Sequence, residues 1–167
     1  AFADYTAAGL IETREEVMLS TRTPRLQRNS VSSGVVSWSD PLAQSVLLDK
    51  SAFITSIDIY FTAKDAAIPV QMQIRRMVNG FPTQEVLPFS DVTINPGSVN
   101  IDGTATAFTF ESPVFLQDSI EYAFVLLANS NNYTVRYAEI GGEDASGNII
   151  SQHTFTGVLF MSQNASP

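Results

Sequence analysis

The strongest apolar pattern in the chain runs from Ala107 to Ala128. Phe108 and Phe110 alternate with Ala107, Thr109 and Glu111, the period-two signal of a strand with one buried face. Ser112-Pro113 is expected to break the run, because proline has no N–H to give to a ladder. Val114–Leu116 resumes it, and Gln117-Asp118-Ser119 reads as a polar turn. From Tyr122 to Ala128 every residue is apolar. Such a strand must be covered on both faces, which places it at the centre of its sheet.

Other strands are read around this one. Val35–Trp38 is short, Leu42–Leu48 is apolar-rich, and Ala52–Thr62 alternates cleanly, with Ile57, Ile59 and Phe61 on one side. Pro69–Met77 puts Val70, Met72 and Ile74 on one face and Gln71, Gln73 and Arg75 on the other, the expected solvent side. Asn79-Gly80-Phe81-Pro82 is a turn signal, since Asn and Gly tolerate positive φ. Short pieces near Glu85–Leu87 and Val92–Ile94 follow, then Tyr133–Ile140 and Gly157–Gln163. Roughly eight to ten strands, with turn signals about every 8–12 residues and no helical period after residue 34, mean an all-β domain. Uneven loops favour a two-sheet antiparallel jelly-roll β-sandwich over residues 35–167, rather than an up-and-down barrel. Its expected core is Ile57, Ile59, Phe61, Val70, Met72, Ile74, Phe108, Phe110, Val114, Leu116, Phe124 and Leu126.

Residues 1–34 differ. They carry little strand alternation and four of the nine basic residues: Arg14, Arg22, Arg25 and Arg28. Ile11–Leu19 has the length of two helical turns, marginal in isolation. The segment reads as an N-terminal arm or linker. Its apolar residues, among them Leu10, Val17, Met18 and Leu26, are expected to cover the Tyr122–Ala128 and Val158–Met161 strands, or to leave that to a neighbouring subunit.

Composition removes several function classes. With 17 acidic against 9 basic residues the net charge is −8, which argues against nucleic-acid binding, where phosphates require Lys and Arg. The absence of cysteine removes disulfides, thiolate nucleophiles and Cys-ligated zinc. No run of about 18 apolar residues is present, so no membrane-spanning helix is expected. The start at Ala1 and the ending Asn164-Ala165-Ser166-Pro167 suggest a piece of a longer protein.

Catalytic constellations are scarce, and no enzymatic activity is expected. His153 is the one histidine and stands in a polar segment, where a surface role is the plain reading. Glu143-Asp144 are neighbours on a glycine-flanked loop and read as a solvated acidic turn rather than as a glycosidase pair. No cofactor is expected unless it is calcium, which takes oxygen ligands from loop carboxylates such as Asp102, Glu143 and Asp144. No spacing matches an EF-hand. Aromatic rings on the polar face of a sheet would stack on sugars. Tyr60, Tyr133, Tyr137 and Trp38 are the candidates for glycan binding, weighed against the plainer role of core packing.

Several stretches in order carry a resemblance: Asp40-Pro41-Leu42-Ala43-Gln44-Ser45, Phe53-Ile54-Thr55-Ser56-Ile57-Asp58-Ile59-Tyr60-Phe61, Val78-Asn79-Gly80-Phe81-Pro82, Val86-Leu87-Pro88-Phe89-Ser90, Ser112-Pro113-Val114-Phe115-Leu116, Glu121-Tyr122-Ala123-Phe124-Val125-Leu126 and Phe160-Met161-Ser162-Gln163-Asn164. Together, over about residues 40–165, they resemble a domain of large virion structural proteins of T4-like tailed bacteriophages, especially cyanophages. Val46 departs from the phenylalanine usual there, and the family continues beyond the point where this chain stops. The resemblance implies a structural or adhesive role in tail, baseplate or fibre, with other virion proteins as partners, homo-oligomerisation in the particle, and no catalytic motif to transfer. A looser similarity, on Pro113-Val114-x-Leu116 and Tyr122-x-x-Val125-Leu126, extends to jelly-roll modules of bacterial surface proteins that resemble carbohydrate-binding modules. It implies the alternative: an extracellular or cell-surface module recognising a host-surface glycan.

Overall fold

A computed structural model describes residues 41–142, 148–152 and 157–161, together with the backbone of residues 16–18. Among these residues the chain is all-β, its strands joined in antiparallel ladders, with a single 3-10 turn at Pro96–Ser98. The strands are β1 (Glu16–Met18), β2 (Leu42–Leu47), β3 (Ala52–Ile59), β4 (Phe61–Ala63), β5 (Val70–Val78), β6 (Phe81–Val86), β7 (Val92–Ile94), β8 (Thr106–Leu116), β9 (Glu121–Ala128), β10 (Thr134–Arg136) and β11 (Leu159–Met161).

The larger sheet has the order β11-β2-β9-β5-β6, with β7 also pairing β5. Its centre is β9, the strand apolar on both faces, flanked by β2 from Leu42↔Leu126 to Leu47↔Glu121 and by β5 from Val70↔Ala128 to Arg76↔Tyr122. The edge of β5 passes from β7, opposite Val70–Met72, to β6, opposite Arg75–Val78. Ser90 fills the gap between them. Its buried Oγ accepts the Ile74 N–H at 3.2 Å and reaches the Leu87 carbonyl at 2.8 Å, while Leu87 N–H donates to the Ile74 carbonyl at 2.8 Å.

Facing this sheet are two ladders, β3–β8 and β1-β10-β4. Only Tyr60 separates β3 from β4, and its carbonyl accepts the Arg136 N–H at 2.9 Å. Side chains from both layers fill one core, in which Leu42, Val46, Met72, Ile74, Phe124 and Leu126 meet Ile57, Ile59, Phe61, Phe108, Phe110, Val114 and Leu116. Every residue expected in the core lies in it. Each large apolar side chain fully buried there contributes about 1.5–3 kcal/mol.

Polar side chains tie four of the crossovers between layers in pairs. Where β2 passes to β3 and β8 to β9, Ser51 Oγ donates to Asp118 and accepts the Asp118 N–H at 3.0 Å. At the opposite end β4 passes to β5 and β9 to β10. There the Asp65 carboxylate accepts Ala67 N–H (2.7 Å), Ile68 N–H (2.8 Å), Ser130 Oγ (2.6 Å) and Asn132 Nδ2 (2.8 Å).

Four sequence expectations need correction. Ser112-Pro113 does not end a strand: β8 runs through it, because the register opposite β3 shifts between Ile54↔Val114 and Ser56↔Thr109 and leaves Pro113 in the bulge, where no N–H is required. The Asn79-Gly80 turn (φ 53° and 80°) is a two-residue hairpin loop, so Phe81-Pro82 already belongs to β6. The strand expected over Tyr133–Ile140 is confined to Thr134–Arg136. Finally, Glu16–Met18 is extended rather than helical and pairs β10, as Glu16↔Arg136 to Met18↔Thr134. This piece of the arm adds to the smaller layer instead of covering β9. The residues of β9 that point away from the core, Ala123, Val125 and Leu127, are buried with Ala43, against Met77 and Phe160. The strand expected over Val35–Trp38 and the boundary at residues 34–35 lie outside the described residues.

Candidate functional site

Trp38, Glu143 and Asp144 lie outside the described residues, as does His153. Tyr133 is not a binding platform: it is 0% exposed, packs edge-on to Phe61 at 5.7 Å between centroids, and donates its hydroxyl to the Ile68 carbonyl at 2.5 Å. Burial, helped by the nearby Asp65 charge, pushes its phenol up to about 12. The phase of β10 explains this, since Val135, two residues on, is also buried. Tyr60 and Tyr137 are half-buried, one before β4 and one after β10 on the same ladder. Asp102 is exposed and turned back on its own loop, where Oδ1 accepts Thr104 Oγ1 at 2.6 Å and Thr104 N–H at 3.0 Å. These bonds hold its carboxyl below the ordinary value. Among the described residues, no three acidic or histidine side chains gather as a metal-binding group.

The Asp65 carboxylate is the most strongly perturbed acid. Its bond from Ser130, then those from the backbone N–H groups and Asn132, hold it well below the usual carboxylate range against the opposing effect of burial. All four contacts on it are donors, so the site stabilises an anion the chain already possesses and acts as a corner staple.

Two surfaces remain as candidates for interaction. The first is on the outer side of the β3–β8 ladder. Phe53 and Phe115 are direct cross-strand partners, with ring centroids 5.1 Å apart and planes tilted by 51°. They are 67% and 51% exposed. Phe53 stands on β3 and Phe115 on β8, which is 11 residues long and, among the described residues, pairs only β3. The alternation that buries Phe108, Phe110, Val114 and Leu116 at even positions sends Phe115 outward. The expected core already has Phe108, Phe110, Val114 and Leu116 on one face, so Phe115 is outward by the same alternation; what the sequence does not show is Phe53 standing directly opposite it.

The second surface is the outer face of β5. Gln71 Nε2 donates to Asp91 Oδ1 at 2.6 Å and Gln73 Nε2 to Asp91 Oδ2 at 2.9 Å. Arg75 places Nε and Nη2 on Gln73 Oε1 at 2.9 and 2.7 Å. The expected solvent face is therefore an ordered polar row, and Gln73 within it is only 8% exposed. Burial lowers the Arg75 pKa, opposed by the charge of Asp91. Two residues before Asp91, Phe89 is 63% exposed and held at φ 63°, a left-handed conformation that a bulky residue rarely adopts.

No protein-family model matches this chain, and neither a curated protein nor a solved structure matches it.

Proposed function

We propose that this chain is a non-enzymatic structural domain of a tailed-phage virion, in tail, baseplate or fibre, that holds protein subunits together and has the jelly-roll form of the β-sandwich. The nested pairing of β2 with β9, β3 with β8 and β5 with β6 supports the jelly roll, since it is what a long hairpin rolled on itself produces. The observation that carries the assembly role is the exposed Phe53–Phe115 pair. Paired aromatics on a sheet face bring large contact area at low cost in side-chain entropy, which is why such residues anchor protein interfaces. The phage setting rests on the sequence resemblance. Immunogold labelling of the particles whose genome encodes the chain tests it: label on the tail supports the proposal, and unlabelled particles contradict it. One observation favours a second reading, recognition of a host-surface glycan. It is the polar row of Gln71, Gln73, Arg75 and Asp91.

A further inference from the structure

We propose that the outer face of β5 binds a neutral saccharide, whose hydroxyls meet the row Gln71, Asp91, Gln73 and Arg75 and whose apolar face rests on Phe89. This rests on the second reading above and gives it a place and a ligand class.

The row is oriented by its own bonds. Asp91 holds both carboxamides by their Nε2 atoms, and Gln73 Oε1 holds two guanidinium nitrogens. Hydrogen-bonding capacity remains on each exposed member: Gln71 Oε1, the second lone pairs of the Asp91 oxygens, and the remaining N–H groups of Arg75. In order along the face these are acceptor, acceptor and donor, fixed before any ligand arrives, and adjacent sugar hydroxyls both donate and accept. Pre-orientation lowers the ordering cost of binding, which dominates for polar ligands.

Phe89 supplies an independent observation. A left-handed φ on an exposed phenylalanine is strained and persists where surrounding structure enforces it, typically at binding sites. The enforcing element is Ser90, buried under the junction of β6 and β7 with its Oγ on Leu87 and Ile74. The same loop thus presents an exposed aromatic ring and, two residues later, the carboxylate that organises the row.

Charge sets the ligand class. The row carries one cation and one anion, and the chain as a whole is at −8. A polyanionic glycan would be repelled by Asp91 and by the field of the whole chain, whereas a neutral saccharide is repelled by neither and its hydroxyls can donate to Asp91.

The experiment uses the full chain, with proton–nitrogen NMR following the side-chain signals of Gln71, Gln73 and Arg75. The probes are neutral oligosaccharides of glucose, mannose, galactose and N-acetylglucosamine, with heparin and polysialic acid as polyanionic counterparts. Saturable shifts confined to the row are expected with at least one neutral probe and with neither polyanion. Gln71→Ala should weaken that binding about tenfold, the effect of one good hydrogen bond. Phe89→Gly should weaken it similarly while raising the melting temperature, because glycine relieves the φ strain; a purely structural Phe89 would not couple the two in this sense. The proposal is overturned if no neutral probe saturates by about 10 mM, if the polyanions bind instead, or if both variants bind as the parent does. A glycan array probed with the full chain separates this inference from the reading it rests on: saturable array binding without shifts in the row overturns the site and leaves glycan recognition standing, whereas no array binding overturns both.

Discussion

Phe81 and Phe160 stand on opposite edges of the larger sheet, yet their ring centroids lie 6.4 Å apart. Four inter-strand steps in a flat sheet would separate β6 from β11 by about 19 Å. The sheet is therefore curled over its outer face. Small residues on β2 and β9, namely Ala43, Ser45 and Ala123, leave room for that curl, and Met77 and Phe160 pack on them.

Truncating this closure should expose the second apolar cluster. Phe160→Ala is expected to lower stability by about 2 kcal/mol, less than for a wholly buried phenylalanine because Phe160 is only half-buried. Urea denaturation reads it, and a loss below about 0.5 kcal/mol would mean that Phe160 does not cover Ala43 and Val125.

The Asp65 staple predicts an acid-labile fold. Its pKa is depressed in the folded chain, so above the unfolded value of about 3.9 both forms are ionised and its stabilisation is complete. As pH falls below about 4 the unfolded chain takes up the proton first, and stability declines. Asp65→Asn should lower stability by about 3 kcal/mol at neutral pH and flatten the loss between pH 4 and 2 in thermal melts. A variant whose acid limb matches the parent's would contradict this role.

Tyr133 works at the other end of the scale. Because its phenol is raised to about 12, the unfolded chain loses this proton first as pH climbs past about 10, and stability falls over that range. Tyr133→Phe should remove this alkaline limb at a cost of about 1 kcal/mol near neutrality. Ultraviolet titration is the check: a tyrosine ionisation near pH 12 should be present in the parent and missing from the variant.

At Gly157 a Cβ would fall inside the Ser45 carbonyl. Ser45 is also where the chain enters the β11–β2 ladder, with Ser45 N–H on the Val158 carbonyl and Val158 N–H on Ser45 Oγ, both at 2.9 Å. Gly157→Ala should push β11 off β2 and cost about 1–3 kcal/mol. Hydrogen exchange should then show loss of protection at Ser45 and Val158 ahead of β9. Unchanged protection would refute the close approach.

The parts of this fold that could be read in the chain are those where period two is undisturbed. Ile57, Ile59 and Phe61, or Val70, Met72 and Ile74, declare their face by alternation alone, and β9 declares its central place by having no polar face. What escaped reading depends on other strands. Pro113 is tolerated because β3 supplies a register shift opposite it, and nothing in residues 106–116 announces that shift. The ordering of the polar face of β5 escaped for the same reason. Gln71, Gln73 and Arg75 were visible as a polar face, but Asp91, the residue that orders them, lies 18 residues beyond Gln73 and arrives only through the path of β6 and β7. For Tyr133 the sequence leaves glycan binding and core packing both open, because its short strand, three residues long, carries too little alternation to fix a phase; the structure packs it in the core.

The assembly role is tested most directly by a cryo-electron microscopy map of the particle at side-chain resolution. The account predicts this domain in the tail, baseplate or fibre, with Phe53 and Phe115 buried against a neighbouring subunit. A map in which the domain is present and both rings face solvent, or a complete particle map without the domain, would contradict it.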